Sequence, residues 1–134
     1  MEAVFLSKTD VYNGNYSITK RDATHEFSKE MHYHDFYEMQ FYLCESEDGK
    51  IGEITMNGKT RELTQGCMVL INMFDVHQIN ITCKVPYTRY CISFDSSLLL
   101  FACSNASNLF NIFSHCADVV LVCSTFETFG RVAV

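Results

Sequence analysis

Polar and apolar side chains alternate through much of the first two-thirds of the chain, the period-two pattern of strands with one buried face. Tyr16–Lys20 is a short strand by this measure. The aromatic-rich run Met31–Leu43 reads as one or two strands bent near Asp35. Gly52–Met56 and Lys59–Leu63 flank Asn57-Gly58, the pair that a two-residue type I′ hairpin requires because both turn positions need positive φ. Thr64-Gln65-Gly66 marks a turn, Cys67–Ile71 a buried strand, Asn72–Val76 a loop and His77–Cys83 another strand. Val85-Pro86 breaks the chain before Tyr87–Phe94, which is again strand-like. Short strands at this spacing predict a sandwich or barrel.

After Asp95 the pattern changes. Ser96–Cys103 and Asn108–Phe113 read as short helices and Val119–Val122 as a last strand. Ser124-Thr125-Phe126-Glu127 has the form of a helix N-terminal capping box, yet the chain stops at Val134. The expectation is a sequence that ends inside an element, as a piece of a longer protein would. Between Cys91 and Val134 the charged residues are Asp95, Asp118, Glu127 and Arg131. So charge-poor a segment either forms an interaction surface or is the back of the core.

Composition narrows the class. A chain of 134 residues, 48% hydrophobic and 19% charged, is expected to form a single folded domain. The ten Lys and Arg are scattered in a chain of net charge -6, which argues against nucleic-acid binding by this chain itself. No apolar run is long enough to cross a bilayer and the N-terminus lacks the features of a signal peptide, so a cytoplasmic protein without membrane contact is expected. Seven cysteines occur without C-x-x-C spacing, several within apolar runs such as those around Cys91 and Cys123; buried reduced thiols are expected. No nucleophile elbow or phosphate loop is present.

The chemistry concentrates in one place. His32, His34 and Glu38 share one strand parity and are expected to project into a lumen together, with His77 arriving from a later strand. Two readings stand for His32, His34, Glu38 and His77. They form a metal site for Zn, Ni, Mn or Fe with open positions, or a polar cluster hydrogen-bonded internally. Glu38, Gln40 and Tyr42 continue one face and, with His77, are candidates for contact with a small ligand. Gln40 and Tyr42 read equally as ordinary strand residues. Arg89 either holds an acidic effector, or pairs with a carboxylate such as Asp95, or packs its stem on a ring. His25 and His115 are isolated and read as structural or exposed.

His32-x-His34-x-x-x-Glu38, followed by Gly66 and, eleven residues later, His77, resembles the two halves of the cupin metal motif. The string His34-Asp35-Phe36-Tyr37-Glu38, with Leu70-Ile71-Asn72, His77 and Pro86-Tyr87-x-Arg89-Tyr90, more narrowly resembles the N-terminal ligand-binding domain of AraC-type transcription regulators. The resemblance runs from about His32 to Asp95. It implies a mainly β fold, a cupin double-stranded β-helix or jelly-roll barrel with short C-terminal helices. Residues 1–95 would be the sensor barrel with its N-terminal arm, and 96–134 a segment leading to dimerisation helices. It further implies a small-molecule effector (a sugar is one candidate), a homodimer, and DNA binding only through a helix-turn-helix domain that this chain lacks.

A metal-dependent cupin enzyme, an oxygenase or sugar isomerase, is the alternative, and a ligand-free dimerisation module a third possibility. The chain departs from the cupin pattern at three points. Gly-Asp reads Gly66-Cys67, the Asn-Pro-Gly turn before the histidine reads Asn72-Met73-Phe74, and Glu45 stands where Gly is common. The loop that aims His77 is therefore expected to be built differently.

Overall fold

A computed structural model describes residues 2–22, 30–45, 49–104 and 120–122, the side chains of residues 10 and 120–122 apart. Ten strands and two short helices follow in the order β1 (Val4–Leu6), α1 (Lys8–Val11), β2 (Tyr16–Asp22), β3 (His32–His34), β4 (Tyr37–Cys44), β5 (Lys50–Met56), β6 (Lys59–Thr64), β7 (Cys67–Ile71), β8 (His77–Ile81), β9 (Tyr87–Phe94), α2 (Ser96–Cys103) and β10 (Val120–Val122). They build two five-stranded sheets, β1-β3-β8-β5-β6 and β10-β7-β4-β9-β2. The fold is a mainly β jelly-roll of the cupin type. The second predicted helix, Asn108–Phe113, the capping box at Ser124, and the isolated His25 and His115 lie outside the described residues, as do Cys116 and Cys123.

Alternation dictates the packing. Along β4 every second residue is buried, and the run of buried even positions continues back through the bend to Phe36 and His34. From Tyr42 onward that face is apolar. Tyr42, Cys44, Cys67, Val69, Ile71 and Tyr87 of one sheet meet Ile51, Ile54, Met56, Leu63 and Ile79 of the other. The odd positions face the opposite way. Tyr37 and Met39, with Met68 and Ile92, pack against a smaller core of Leu70, Phe94 and Leu99, the last from α2. The sheet centred on β4 and β9 thus has two worked faces, one toward the barrel interior and one beneath α2. Cys44 and Cys67 are buried, Cys83, Cys91 and Cys103 half-buried, and none of these five is in a disulfide.

The hairpin joins β5 to β6 as its sequence demands, with Asn57 at φ 47° and Gly58 at φ 80°, the mirror-image turn that matches strand twist. Gly52 answers a different need. A Cβ there would stand 2.2 Å from the carbonyl oxygen of Asn80 on β8, so β5 approaches its neighbour only because no side chain intervenes.

The N-terminal arm is held by specific bonds. The parallel pair β1–β3 matches Val4 with His32 and Leu6 with His34. The backbone amide of Lys8 donates to Asp35 at 2.7 Å, which satisfies an orphan donor at the start of α1. The ammonium of Lys8 reaches Asp95 at 2.9 Å. That same carboxylate caps α2, accepting from the Leu98 amide at 3.0 Å and from Ser97 Oγ at 2.6 Å. Asp95 therefore ties the arm and α2 to one point at the end of β9.

Ser97 above all, with Lys8 and the Leu98 amide behind it, holds the Asp95 carboxyl at about 2, against an ordinary value of 3.8. A carboxyl depressed in the folded state contributes stability that is complete above the ordinary value and disappears as pH falls toward the depressed one. Asp95→Ala is expected to destabilise the domain by about 1–2 kcal/mol at pH 7, with Asp95→Asn, which keeps the cap but not the ion pair, costing less. In urea titrations the difference between wild type and Asp95→Asn should shrink between pH 4 and pH 2. A difference as large at pH 2 as at pH 4 would exclude the ionised carboxylate as its source.

Candidate functional site

The site occupies the barrel interior where β3, β4, β8 and β9 converge, and its centre is Glu38. Its Oε2 accepts from His34 Nε2 at 2.9 Å. Its Oε1 accepts from Gln40 Nε2 at 2.5 Å and from the Cys91 thiol at 2.8 Å. Both ring nitrogens of His34 face oxygen atoms, since Nδ1 lies 2.8 Å from the carbonyl of Phe36. Burial alone would raise the carboxyl of Glu38. The His34 hydrogen bond and the charge of the neighbouring imidazoles outweigh it and hold the group well below the usual carboxylate range. Further along β4, the Tyr42 hydroxyl donates to Gln40 Oε1 and itself faces Arg89. Burial, above all, raises the Tyr42 phenol, with Arg89 opposing. A continuous chain of polar contacts thus runs from the Arg89 guanidinium through Tyr42 and Gln40 to the Glu38 carboxylate.

His77 enters from the opposite sheet and is fully buried. Its Nδ1 donates to the Asp75 carbonyl at 2.8 Å, which leaves the lone pair on Nε2, and that buried nitrogen has no hydrogen-bond partner among the described residues. Burial, only partly opposed by Glu38, pushes its imidazole down to about 4. One ligand atom each from His34, Glu38 and His77 lie within 4.8 Å of one another. His32 stands at the edge of this group. Its ring is 4.2 Å from that of His77 and 6.2 Å from that of His34, and its Nδ1 donates to the Glu30 carbonyl.

The loop before His77 lacks the usual Pro and Gly, and other bonds shape it. Asn72 N donates to Asp75 Oδ2. The hairpin residue Asn57 donates to Asp75 Oδ1 at 2.9 Å and accepts from Val76 N at 3.1 Å. Phe74 takes the place of the turn glycine and adopts φ 65° with its amide on the His34 carbonyl at 2.8 Å. A bulky residue in the left-handed region is strained.

Strand register lays the rest of the site out as rows. Ser17, Ser93 and Glu38 lie side by side on β2, β9 and β4, then Thr19, Cys91 and Gln40, then Arg21, Arg89 and Tyr42. Tyr42 apart, these rows form one wall of a cavity of about 260 Å³, to which Leu6 and Val11 of the arm also contribute. Of the residues expected from sequence, the structure brings Glu38 and Gln40 to the cavity with His32 and His34, while Tyr42 and His77 are buried behind it. Arg89 and Asp95, one of the pairings considered for Arg89, sit six residues apart near opposite ends of β9, about 20 Å along the strand, and Asp95 binds Lys8 instead. Sequence reasoning missed Phe36, whose ring stacks on His34 at 3.9 Å and meets Tyr12 edge-on at 5.4 Å. It also missed Ser17, Thr19 and Arg21. For Ser17 and Thr19, shared parity on the predicted strand Tyr16–Lys20 was the available signal; Arg21 lies beyond that strand's predicted end, in the observed span Tyr16–Asp22.

A family model for the AraC-like ligand binding domain matches residues 14–121. The chain belongs to that family. A comparison with characterised proteins returned no match. Among solved structures, the chain resembles a Cupin 2 conserved barrel domain protein from Salinispora arenicola, with TM-score 0.50 and 16% identity over 71% of this chain and 76% of that one. It also resembles ToxT from Vibrio cholerae, with TM-score 0.58 and 11% identity over 90% of this chain and 46% of ToxT. The AraC-like chain therefore spans about half the length of ToxT, and at these identities the likeness shows the shared fold.

The strain at Phe74 yields a test within this domain. Phe74 is 56% exposed, so little packing is lost on its removal. Phe74→Gly is expected to stabilise by up to about 1 kcal/mol, the left-handed penalty of about 1–2 kcal/mol less the extra freedom of an unfolded glycine. Phe74→Ala keeps the penalty and should give no gain. Urea midpoints for the two variants decide this, and equal midpoints would show that the loop carries no such strain.

Proposed function

We propose that this domain is the effector-sensing part of a cytoplasmic transcription regulator and that its effector is a small polar molecule bound in the cavity beside Glu38. The observation that carries the reading is a cavity walled by closely spaced polar side chains on one strand sheet and closed in part by the N-terminal arm. Ser17, Ser93, Thr19 and Gln40 supply hydroxyl and amide partners in fixed register, the small number of oriented polar groups that a ligand site needs. Glu38 supplies a charged acceptor for hydroxyls, as a sugar would offer. Membership of the AraC-like ligand binding domain family supports the reading. So does the ToxT structure bound to (E)-4-(8-methylnaphthalen-1-yl)but-3-enoic acid. No helix among the described residues is long and apolar enough to cross a membrane.

The mechanism follows from position. Leu6 and Val11 line the cavity, and Lys8 between them binds the carboxylate that caps α2. A ligand that binds better when the arm is closed shifts the population toward that arrangement, and only such unequal affinity moves the equilibrium. In the proposed full regulator, a homodimer, the shift changes how two DNA-binding domains are presented. The domain itself performs no reaction in this account.

One observation favours a second reading of the same centre. The buried Nε2 of His77, without a hydrogen-bond partner among the described residues, carries a lone pair, its Nδ1 is oriented by a carbonyl, and His34 and Glu38 stand beside it. This is how a metal-ligating histidine is held. The donor set of His34, Glu38 and His77, with His32 as the flanking fourth residue, fits a divalent transition metal such as Zn, Ni, Mn or Fe. A bound metal would supply a Lewis acid for orienting ligand oxygens, and in an enzyme for oxygenase or isomerase chemistry.

Thermal-shift screening with sugars and small acids tests the first reading. A compound at one hundred times its Kd should add about 2.7 kcal/mol, a rise of several degrees that Gln40→Ala diminishes. A complete absence of shifts would leave the sensor reading without support. Elemental mass spectrometry on protein purified without affinity-tag metal tests the second, which expects about one equivalent per chain, lost in Glu38→Ala and His77→Ala. Metal far below stoichiometry in a folded wild type would exclude it.

A further inference from the structure

The peptide that orients His77 is held in place by one side chain from another loop. In the Asp75–Val76 peptide, the carbonyl accepts from His77 Nδ1 at 2.8 Å while the N–H donates to Asn57 Oδ1 at 3.1 Å. Both groups belong to one rigid plane, so whatever fixes the N–H also fixes the direction of the C=O. The other end of the same amide, Asn57 Nδ2, donates to Asp75 Oδ1 at 2.9 Å, and Asp75 Oδ2 accepts from the Asn72 amide. The Asn57 backbone adds a third hold, its N–H on the Val76 carbonyl at 2.8 Å. Asn57 sits at the tip of the β5–β6 hairpin with φ 47°, and Met56 before it is paired with His77 across β5 and β8. The tip and the loop therefore meet beside the histidine.

From this geometry we propose that Asn57 is the positioning residue for His77: by fixing the Asp75–Val76 peptide it selects the tautomer that leaves Nε2 open to a ligand. A carbonyl can only accept, so Nδ1 carries the proton while this peptide faces the ring. The lone pair is then on Nε2, the buried atom without a hydrogen-bond partner among the described residues, in the group that His77 forms with His34 and Glu38. If the peptide turns away, Nδ1 loses its acceptor and the proton can move to Nε2. There it closes that atom to any electron-pair acceptor, whether a divalent metal or the hydroxyl proton of a ligand. The hairpin needs positive φ at this position, which Asn, Asp and Gly all tolerate. Of the three, only Asn also carries an acceptor for the Val76 N–H and a donor for the Asp75 carboxylate.

The consequence for metal affinity rests on the second reading of the site above, whereas the tautomer is read without any metal. Ring nitrogens of the metal-free, nitrogen-15-labelled chain of 134 residues are followed by NMR at pH 7.5, His77 being assigned by its loss in His77→Gln. Wild type is expected to show His77 as the single tautomer protonated at Nδ1. Asn57→Gly keeps the turn but removes both side-chain holds, and should give a mixture of tautomers. Asn57→Asp keeps the acceptor for Val76 but sets two carboxylates face to face, and should do the same. Asn57→Asp combined with Asp75→Asn restores a donor between the two positions with its direction reversed, and should recover the wild-type signature. Urea midpoints follow stability separately, since the tautomer is read in the folded chain. Zinc titrated by calorimetry is expected to bind about tenfold more weakly to both single variants and to regain affinity in the double. If His77 keeps its proton on Nδ1 in both single variants, or the double variant fails to recover the signature, the positioning inference falls whatever zinc does. If wild type takes up no zinc while the tautomer follows the brace, the metal reading falls and the role of Asn57 stands.

Discussion

A carboxylate kept ionised inside a protein must be surrounded by donors, and in this domain two come from near neighbours in sequence and one from a distant strand. Glu38 is reached by His34 across the bend between β3 and β4, by Gln40 along its own strand and by Cys91 from β9. Water would otherwise solvate such a charge, and withdrawing it from water is costly unless every lone pair is answered. The strands must therefore hold their register, because a slip of one residue would turn Glu38 outward and face Met39 into the polar wall. The same requirement orders the histidines. His34 faces an oxygen at each nitrogen, whereas Nε2 of His77 has no hydrogen-bond partner among the described residues.

The site is assembled by strands but tuned by loops and by the arm. Asn57 at the hairpin tip and Asp75 in the following loop brace one another, replacing a proline and glycine turn with side-chain bonds. Phe36 packs between Tyr12 and His34, the ring that bonds Glu38. These contacts explain why a chain departing from the cupin pattern at several positions still places its second-motif histidine in the centre.

Much of the barrel was legible because alternation and turn chemistry are local. The strand at Cys67–Ile71, the Asn57-Gly58 hairpin and the bend near Asp35 all follow from short windows. His34, Glu38 and His77 were legible as a group because parity and spacing agreed with a known motif. The arm was not. Val4–Leu6 becomes a strand only by pairing with His32–His34, a partnership invisible to any local pattern. Arg21 escaped notice for a similar reason, since what makes it a site residue is the β2–β9 register that sets it opposite Arg89. Asp95 was assigned a conceivable partner in Arg89, which distance along a single strand rules out, while its actual partner Lys8 lies 87 positions away.

The two-faced sheet has one more implication. Met39 lies between Glu38 and Gln40 in the chain, but its side chain joins the apolar layer under α2 while theirs join the polar wall of the cavity. On β9, Ile92 sits in the same way between Cys91 and Ser93. Successive side chains of a pleated strand stand on opposite faces, so interior and exterior are separated by the thickness of one residue. The β4–β9 ribbon is thus a partition one residue thick, with the cavity on one side and the apolar layer under α2 on the other.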